Sequence, residues 1–332
     1  MKVAFFSTRS YDRRYFDEAN TPARHQLWYT EVALHERTVF LCRGHDAVCL
    51  FVNDRVTASV AKQLAEVGVR LIALRCAGYN QVDLKAAQQH GLTVVRVPAY
   101  SPYAVAEHTV ALILALNRKI HRAYNRVREG NFSLDNLIGF DLHGKTVGVI
   151  GTGKIGKALC RILSGFGCRV LGHDPYPDAE LITAGITYTG LDELLRQSDI
   201  VSLNCPLTEE TYHLINAQNL KYMRRGAMLI NTGRGALIDT RAIVQALKSG
   251  HLGYLGLDVY EQEEGLFFRD LSHEIIQDDL IARLMTFPNV LITSHQAFLT
   301  HEALTEIARV TLENISAFEQ GLPLENVVQL PA

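Results

Sequence analysis

Short apolar runs alternate with polar, helix-patterned segments in the N-terminal third of the chain. The segments VTASVAKQLAEVG (56–68) and VDLKAAQQHG (82–91) have helical periodicity and end in glycine, which is a common signal for the end of a helix. Alternation of strands and helices predicts a parallel sheet. This series contains no glycine-rich phosphate-binding turn. The apolar runs predicted as strands are KVAFFS (2–7), AVCLFV (47–52), RLIALR (70–75) and TVVRVP (93–98).

A second alternating series follows a break bracketed by Pro98 and Pro102. It opens with a long helix, predicted over about 102–126, and a loop. The C-terminal part of the chain is predicted as an amphipathic helix, LTHEALTEIARVTLENISAFEQG, followed by a tail. The apolar runs predicted as strands are KTVGVIG (145–151), CRVLGHD (168–174), DIVSLNCP (199–206), AMLINTG (227–233), YLGLDVY (254–260) and NVLITSHQ (289–296).

The pattern predicts an α/β protein with two parallel-sheet domains of the Rossmann-like or flavodoxin-like kind. A length of 332 residues also favours two domains over one. Residues 1–100 and 299–332 are expected to form a substrate domain, and the nucleotide domain, 101–298, is inserted into it. Ligands bind at the carboxyl ends of parallel strands, so we expect the chemistry in the cleft between the domains.

Composition excludes several classes of partner. The chain is 48% hydrophobic and 20% charged, with a formal net charge of −2, so nothing favours binding to nucleic acid or to anionic membranes. The apolar stretch 105–116 is too short to span a bilayer, and Met1-Lys2 leads directly into a strand rather than a signal peptide. The six cysteines form no C-x-x-C pair and lack a metal-spaced histidine. We therefore expect free thiols, no metal and a cytoplasmic protein.

The strongest local motif is VGVIGTGKIGKALCRIL (147–163), in which an apolar strand runs into a glycine turn and then a helix. Gly151 permits the tight turn, Gly153 lets the backbone approach a pyrophosphate, and Gly156 lets the helix pack on the sheet. Asp174 ends the next strand, where a ribose hydroxyl would lie. A turn without a ligand is the alternative, but the context favours NAD. The other predicted cofactor contacts are Thr152, Lys154, Ile155, Cys205, Pro206, Thr232, Gly233 and Asp258.

Three strand ends of the second series carry residues suited to acid–base chemistry. Arg234 follows AMLINTG, Asp258 and three glutamates (Glu261, Glu263 and Glu264) follow the next strand, and His295 ends the last. Each alone could be a surface or core residue, but together beside a cofactor turn they indicate a catalytic set. Histidine can donate a proton to a developing alkoxide, a carboxylate can orient the imidazole, and a guanidinium can bind a substrate carboxylate. The pattern predicts reduction of a 2-keto acid, or the reverse oxidation.

These ordered motifs resemble the D-isomer-specific 2-hydroxyacid dehydrogenase family over essentially the whole chain. The matching features are GTGKIG, the arginine of NTGRG, the second glutamate of DVYEQE and the histidine of SHQAF. The resemblance implies that Glu263 is the partner of His295. It also implies that RCAGYNQVD (75–83) supplies backbone N–H groups of Ala77 and Gly78 to the substrate carboxylate.

Within that family, the chain resembles the branch that reduces pyruvate to D-lactate. Phe298, the segment 265–285 and VRVPAYSPYAVAEH (95–108) carry this resemblance. Phe298 and Tyr100 are expected to crowd the methyl end of the substrate, with plain packing as the alternative. Two other functions stay open: an enzyme for a bulkier 2-keto acid or glyoxylate, and an NAD-linked interaction protein of the corepressor type. The apolar helix at 102–120, with no obvious partner in its own domain, predicts a homodimer or homotetramer.

Overall fold

The computed structural model describes residues 1–22 and 24–329, which fall into two compact units. One unit comprises residues 1–101 and the segment that begins at Leu299, and the other comprises residues 102–298. Each unit is built on one sheet in which every pair of neighbouring strands is parallel.

The first unit has a five-stranded sheet in the order β2-β1-β3-β4-β5, which is the flavodoxin-like order. Its strands are β1 (Lys2–Phe5), β2 (Gln26–Tyr29), β3 (Ala47–Leu50), β4 (Leu71–Leu74) and β5 (Thr93–Arg96). Its N-terminal helices are α1 (Ser10–Ala19), α2 (Ala58–Glu66) and α3 (Leu84–Gln89).

Local sequence explains why α2 and α3 begin and end where they do. The side chains of Thr57 and Asp83 accept hydrogen bonds from the N–H groups of Val60 and Ala86 and thereby cap the first turns. Gly68 and Gly91 follow the helices with φ of +95° and +70°, a left-handed conformation that favours glycine. The predicted glycine stops are confirmed.

The pattern missed β2 and α1, and both are partly exposed edge elements. In β2 the residues alternate between exposed and half-buried, so no continuous apolar run marks the strand. Helix α1 has the sequence SYDRRYFDEA and buries only Asp12 and Phe16. Edge elements of this kind show weak periodicity, because few of their residues enter the core.

Arg75 joins the carboxyl ends of the central strands in this unit. Its buried guanidinium lies 3.3 Å from Asp12 Oδ1 and donates to the carbonyls of Phe6 at 2.9 Å, Ser7 at 3.0 Å and Cys49 at 3.4 Å. Burial by itself disfavours the cation, but Asp12 and other neighbours outweigh it and raise the pKa of Arg75 above its usual value. The side chain therefore stays charged and binds backbone carbonyls at the carboxyl ends of β1 and β3.

The second unit has a seven-stranded sheet in the order β12-β11-β10-β9-β6-β7-β8, the Rossmann arrangement extended by one strand. Its strands are β6 (Thr146–Ile150), β7 (Arg169–His173), β8 (Thr187–Tyr188), β9 (Ile200–Leu203), β10 (Ala227–Asn231), β11 (Leu252–Leu257) and β12 (Val290–Ile292). Its helices are α4 (Pro102–Arg118), α5 (Ile120–Arg128), α6 (Lys154–Gly165), α7 (Ala179–Thr183), α8 (Leu191–Gln197), α9 (Thr240–Lys248) and α10 (Asp279–Met285).

The prediction of one helix over 102–126 is wrong. The helix breaks at Lys119, which has φ of +52°, and α5 starts in a new direction. The break is held by the loop that follows α5: Lys119 Nζ donates to the carbonyls of Asn136 and Ile138, both at 2.9 Å. Asn117 exchanges two further hydrogen bonds with the backbone of Phe140. These contacts offset the cost of a left-handed lysine.

Helix α4 is also not the unpartnered surface helix that the pattern suggested. It packs against α6, β10 and β11, and its apolar residues from Ala104 to Leu116 are largely buried in this unit's core. The exposed apolar side chains lie further along the chain. On α5 and the loop after it they are Ile120, Tyr124, Val127, Phe132, Leu134 and Ile138.

The predicted C-terminal helix is confirmed as α11 (His301–Glu319), which belongs to the first unit and packs against α1 and β4. The tail then runs beside β5, where Val328 donates to Val94 and Arg96 donates to Asn326. Among residues 1–22 and 24–329, none of the helices has the length and apolar character that crossing a membrane would require.

The role of Arg75 in the first unit can be tested by Arg75→Met, which keeps much of the side-chain length but leaves the Asp12 carboxylate buried without its cation. Removing one partner of a buried ion pair costs about 3–5 kcal/mol, so the free energy of unfolding should fall by that order. Urea unfolding followed by the fluorescence of Trp28, the one tryptophan of the chain, reports on this unit. Arg14→Met, which breaks an exposed pair with Glu18, is the control and should cost less than about 1 kcal/mol. If Arg75→Met unfolds at the same urea concentration as the wild type, Arg75 does not stabilise this unit.

Candidate active site

The glycine turn between β6 and α6 has the geometry that its spacing predicts. Gly151 has φ of +86°, and a side chain there would collide with the backbone of Asn204 and Cys205. A side chain at Gly156 would overlap the carbonyl of Gly151, so glycine is needed for α6 to pack on the turn. Gly153 is the N-cap of α6, and a Cβ there would meet no atom within 4 Å. The backbone at Gly153 is therefore open to a ligand.

Asp174 lies directly beside this turn, one residue after β7. Its carboxylate accepts from the backbone N–H of Thr152 at 2.7 Å and of Tyr176 at 2.9 Å. The Thr152 hydroxyl also lies 3.2 Å from it and accepts from the Tyr188 hydroxyl at 2.8 Å. These contacts hold Asp174 where the strand after a dinucleotide-binding turn places its ribose-binding acid.

The residues of this turn fit a dinucleotide. The first N–H groups of α6 have no acceptor within the helix, and the helix begins beside the open backbone at Gly153, as an anion site requires. Asn204, which follows β9, carries a buried side-chain oxygen that has no hydrogen-bond partner among the described residues. An orphaned acceptor beside the turn is suited to a donor group of a bound cofactor. Sequence reasoning selected Cys205 and Pro206 here and missed Asn204.

Arg234 lies on a tight turn three residues beyond the end of β10. The buried side chain of Asn231 braces the turn, because it accepts from the N–H of Gly233 at 3.0 Å and donates to the carbonyl of Arg234 at 2.8 Å. Gly235 is required because a Cβ there would overlap the backbone of Tyr260. The Arg234 guanidinium is half-buried and donates to the carbonyl of Gly233 at 2.8 Å.

Asp258, one residue beyond β11, is buried and organises the segment that carries His295. Its carboxylate accepts from the Thr293 hydroxyl at 2.6 Å and from the backbone N–H groups of Gln296 and Ala297, both at 2.9 Å. His108 Nε2, from α4, lies 3.4 Å away. Burial favours the neutral acid, but the hydrogen bonds from His108, Thr293 and the two N–H groups outweigh it and lower the pKa of Asp258. The predicted cofactor contact of Asp258 stays a prediction.

His295 and Glu263 meet in the structure. His295 Nδ1 lies 3.0 Å from Glu263 Oε1, and both side chains are partly accessible. The second carboxylate oxygen of Glu263 accepts from the N–H of Tyr260 at 3.1 Å. His295 has φ of +53°, an uncommon conformation for a residue with a side chain, and its N–H donates to the carbonyl of Asp258 at 2.7 Å. The ring is thus fixed by its backbone and by the carboxylate.

Glu261 has a different partner. It lies 2.6 Å from Nε2 of His213 and also accepts from the hydroxyl of Thr240 at 2.8 Å. The residue pattern left open which carboxylate after β11 faces the histidine, and the contact falls on Glu263.

The other predicted site residues are distributed over both units. Thr232 bonds through its hydroxyl to Thr109 of α4 at 2.8 Å. Burial raises the pKa of the Cys205 thiol to about 11, which favours the neutral thiol near neutral pH. Lys154 and Ile155 are the first two residues of α6. The remaining positions are Pro206, Gly233 and the buried Phe298 in the second unit, and Ala77, Gly78 and the half-buried Tyr100 in the first.

In the first unit, the peptides around Ala77 and Gly78 are oriented by side chains that sequence reasoning missed. Arg96 donates to the carbonyl of Ala77 at 2.8 Å, and its guanidinium lies 5.1 Å from the centre of the Tyr79 ring. The thiol of Cys76 contacts the carbonyl of Gly78 at 3.3 Å. Arg96 is the last residue of β5, so its position at a strand end was the only signal available.

Comparison with known proteins agrees with this geometry. The model of the D-isomer specific 2-hydroxyacid dehydrogenase NAD binding domain matches residues 110–297. A 2-hydroxyacid dehydrogenase homolog of Haemophilus influenzae is 54% identical over 328 residues, covering 99% of each chain. The D-lactate dehydrogenase of Escherichia coli is 52% identical over 321 residues, covering 97% of this chain and 98% of that protein. A solved structure described as the pyruvate reductase of Chlamydomonas reinhardtii has a TM-score of 0.93 and 48% identity, covering 98% of both chains.

The chain therefore belongs to the D-isomer specific 2-hydroxyacid dehydrogenase family. It is an NAD-dependent oxidoreductase, and the residues that carry the cofactor turn lie within the matched NAD-binding domain. The predictions of the family, of two parallel-sheet α/β domains and of NAD as cofactor are confirmed.

Asp258→Asn tests whether this carboxylate positions His295. An amide has one acceptor oxygen where the carboxylate has two, so at least one of the bonds to the 293–297 segment is lost. Since a misplacement of about 1 Å can cost about 10²-fold in rate, we expect kcat to fall by about that factor. Binding of NADH, measured by fluorescence, reports separately on cofactor contact. Asp270→Asn, at an exposed turn, is the control. An unchanged kcat would remove Asp258 from this role.

The same variant has a definite pH signature. In the folded protein the pKa of Asp258 lies below its ordinary value of 3.8. The charged carboxylate therefore contributes stability above about pH 4, and this contribution is lost as the pH falls through the folded value. The difference in unfolding free energy between the wild type and Asp258→Asn should shrink as the pH is lowered from about 5 to about 2. A difference that grows toward acid pH would contradict the lowered pKa.

Proposed function

We propose that the enzyme reduces pyruvate reversibly to D-lactate with NADH, and that His295 is the proton donor. The observation that supports this most directly is the contact of 3.0 Å between His295 Nδ1 and Glu263. It lies in the unit that contains the NAD-binding domain, on segments that follow neighbouring strands. The names of two relatives, a D-lactate dehydrogenase and a pyruvate reductase, favour pyruvate as the substrate.

The histidine–glutamate pair defines which nitrogen acts. With Nδ1–H donating to Glu263, the other ring nitrogen, Nε2, is left to transfer a proton to the substrate oxygen. Glu263 orients the ring and its negative charge complements an imidazolium. NADH, when bound at the glycine turn of this unit, would supply the hydride. His295 then delivers the proton that converts the developing alkoxide into the hydroxyl of the product.

Arg234 is proposed to bind the carboxylate of the 2-keto acid. Among the residues that the structure describes, its hydrogen bond to Gly233 uses one of the five guanidinium N–H groups, so a planar pair of donors remains for a carboxylate. The same cation favours the charge that develops on the neighbouring carbonyl oxygen during reduction. Backbone N–H groups of Ala77 and Gly78 are proposed as further carboxylate donors on the strength of the family resemblance.

The cofactor contacts are proposed for the glycine turn and Asp174. The N-terminus of α6, with its open backbone at Gly153, would hold the pyrophosphate. Asp174 would accept from the ribose hydroxyls, and its charge would repel the additional phosphate of NADPH. The other proposed contacts are Thr152, Lys154, Ile155, Cys205, Pro206, Thr232, Gly233 and Asp258.

Substrate size is proposed to depend on Phe298 and Tyr100. Phe298 is buried, and Tyr100 is half-buried at the end of the first unit's N-terminal segment. A second candidate function is the reduction of a larger 2-keto acid. It is favoured by the broader name of the Haemophilus influenzae relative, which specifies a 2-hydroxyacid and no particular substrate.

We further propose that the enzyme is a homodimer or a homotetramer, and that it is cytoplasmic. Helix α5 buries none of its residues in its own unit, yet Ile120, Tyr124 and Val127 form an apolar stripe at helical spacing. Such a stripe can pair with its own copy about a two-fold axis. The six cysteines, all within the described residues, carry free thiols, a state that a reducing compartment maintains.

The substrate and the acid–base roles are tested together by NADH oxidation with pyruvate and with a series of longer 2-keto acids. We expect pyruvate to give the highest kcat/KM. His295→Ala should lose about 10²–10⁴-fold in kcat while NADH still binds, because a general acid contributes about that factor.

Arg234→Lys should raise the KM for pyruvate and lower kcat together, since lysine lacks the planar fork of the guanidinium.

Phe298→Ala serves as the matched test of substrate size. If Phe298 crowds the substrate, the longer acids should gain relative to pyruvate by about 1–3 kcal/mol for each methylene accommodated. An equal loss of activity on all substrates would make Phe298 a packing residue.

Full activity of His295→Ala would overturn the proposed mechanism. A higher kcat/KM for a longer acid than for pyruvate in the wild type would favour the second candidate function.

The dimer is tested by sedimentation velocity on the wild type and on Val127→Asp. A carboxylate in the centre of the apolar stripe should shift the protein to a monomer, because an unpaired charge is costly to bury in an interface. Ile182→Asp, at another exposed isoleucine on α7, is the control and should leave the mass unchanged. A monomeric wild type would refute the proposal.

A further inference from the structure

A second histidine–glutamate pair lies close to the proposed catalytic pair in the second unit. Glu261 Oε1 lies 2.6 Å from His213 Nε2, and Glu261 Oε2 accepts from the Thr240 hydroxyl at 2.8 Å and from its N–H at 3.4 Å. Both members of the pair are mostly buried, with side-chain exposures of 28% for His213 and 21% for Glu261. A mostly buried contact between a histidine and a carboxylate, with Thr240 as a third partner, is more than a solvated surface contact.

The pair connects three segments that follow neighbouring strands. His213 belongs to the segment after β9, Thr240 to the segment after β10, and Glu261 to the segment after β11. The first two are also joined through the backbone, since His213 donates to Ala236 at 2.8 Å and Ile215 donates to Leu237 at 3.0 Å. The side chain of Glu261 links the third segment, which also carries Glu263, to these two segments.

The turn that carries Glu263 also touches the turn that carries Arg234. The backbone at Gly235 approaches Tyr260 so closely that no side chain fits between them. Upstream, the Asp258 N–H donates to the carbonyl of Asn231 at 2.9 Å. Between these contacts and Glu263 lies Glu261, whose side chain anchors the turn to His213 and Thr240.

The conformation of His213 shows that its ring is held in place. The residue has φ of +49°, and the ring of Tyr212 stacks on it with centroids 4.0 Å apart and an angle of 18° between the planes. A left-handed conformation at a residue with a Cβ persists only where the surroundings enforce it. The surrounding loop therefore fixes the position of the His213 imidazole.

We propose that Glu261 and His213 are positioning residues that set the location of the Glu263 carboxylate relative to His295. The proposal rests on the proposed function of Glu263. Without the Glu261 anchor, the turn at 260–264 can move away from the Arg234 turn and carry Glu263 with it. The imidazole of His295 then loses its orienting carboxylate, although both residues are still present.

A double-mutant cycle tests this directly. Glu261→Ala should lower the kcat for pyruvate reduction by about 10-fold or more, because a shift of about 1 Å at the reacting groups can cost about 10²-fold. In a Glu263→Gln background the same substitution should change kcat by less than about 2-fold, because Glu261 acts through a carboxylate that is already absent. NADH affinity, measured by fluorescence, should stay within about 2-fold in every variant.

Conservative variants separate positioning from general destabilisation. Glu261→Gln keeps an acceptor for His213 or Thr240 and should recover part of the kcat lost in Glu261→Ala. His213→Ala removes the anchor from the other side and should show the same loss in the wild type and the same lack of effect beside Glu263→Gln. Glu306→Ala, which breaks the exposed pair with Arg309 on α11, is the control and should leave kcat unchanged. Thermal unfolding identifies any variant that fails to fold, in which case the His213 series decides.

The possible outcomes distinguish this proposal from the proposed function. Suppose that Glu263→Gln lowers kcat, and that Glu261→Ala lowers kcat by the same factor in the Glu263→Gln background as in the wild type. Glu261 then has only a structural role, and the positioning proposal is wrong. An unimpaired Glu261→Ala has the same consequence. If Glu263→Gln retains full activity, the proposed function of Glu263 fails, and the positioning proposal fails with it.

Discussion

The arrangement at the carboxyl edge of the second sheet depends on the buried carboxylate of Asp258. Its oxygens accept two backbone N–H groups and one hydroxyl from the segment 293–297, and its own backbone bonds to Asn231 on one side and His295 on the other. Burial would favour the neutral acid, but these donors and His108 lower the pKa. A charged acceptor is therefore available to join the ends of three strands.

Polar side chains hold the backbone together beyond the points where the strands end. β10, β11 and β12 end at Asn231, Leu257 and Ile292, and the candidate catalytic residues all lie beyond these ends. Asn231, Asp258 and Glu261 supply the hydrogen bonds that the missing ladder would have supplied. Arg75 has the equivalent task in the first unit, where it binds the carbonyls at the ends of β1 and β3. Residues beyond strand ends can thus be held accurately for chemistry.

The break at Lys119 divides two kinds of apolar surface that are continuous in the sequence. Before it, α4 buries its apolar residues against α6 and the sheet. After it, α5 exposes Ile120, Tyr124 and Val127, and the loop at 136–140 is hydrogen-bonded to the residues at the break. One apolar stretch therefore contributes both to the core of the unit and to the surface that we propose for self-association.

The sequence by itself determined both alternating series, the glycine turn, the glycine stops after α2 and α3, and the order of Arg234, the three glutamates at 261–264 and His295 along the chain. These features depend on local periodicity and spacing, which neighbouring residues encode. Only the tertiary structure decided that β2 belongs to the first sheet, that the long helix breaks at Lys119, and that Glu261 contacts His213. The contact between Glu263 and His295 was implied by the family resemblance, but the residue pattern alone left it open among three glutamates. Two carboxylates in one turn look alike in a pattern of residues. Their partners come from segments 48 and 32 positions away in the chain, and only folding brings these segments together.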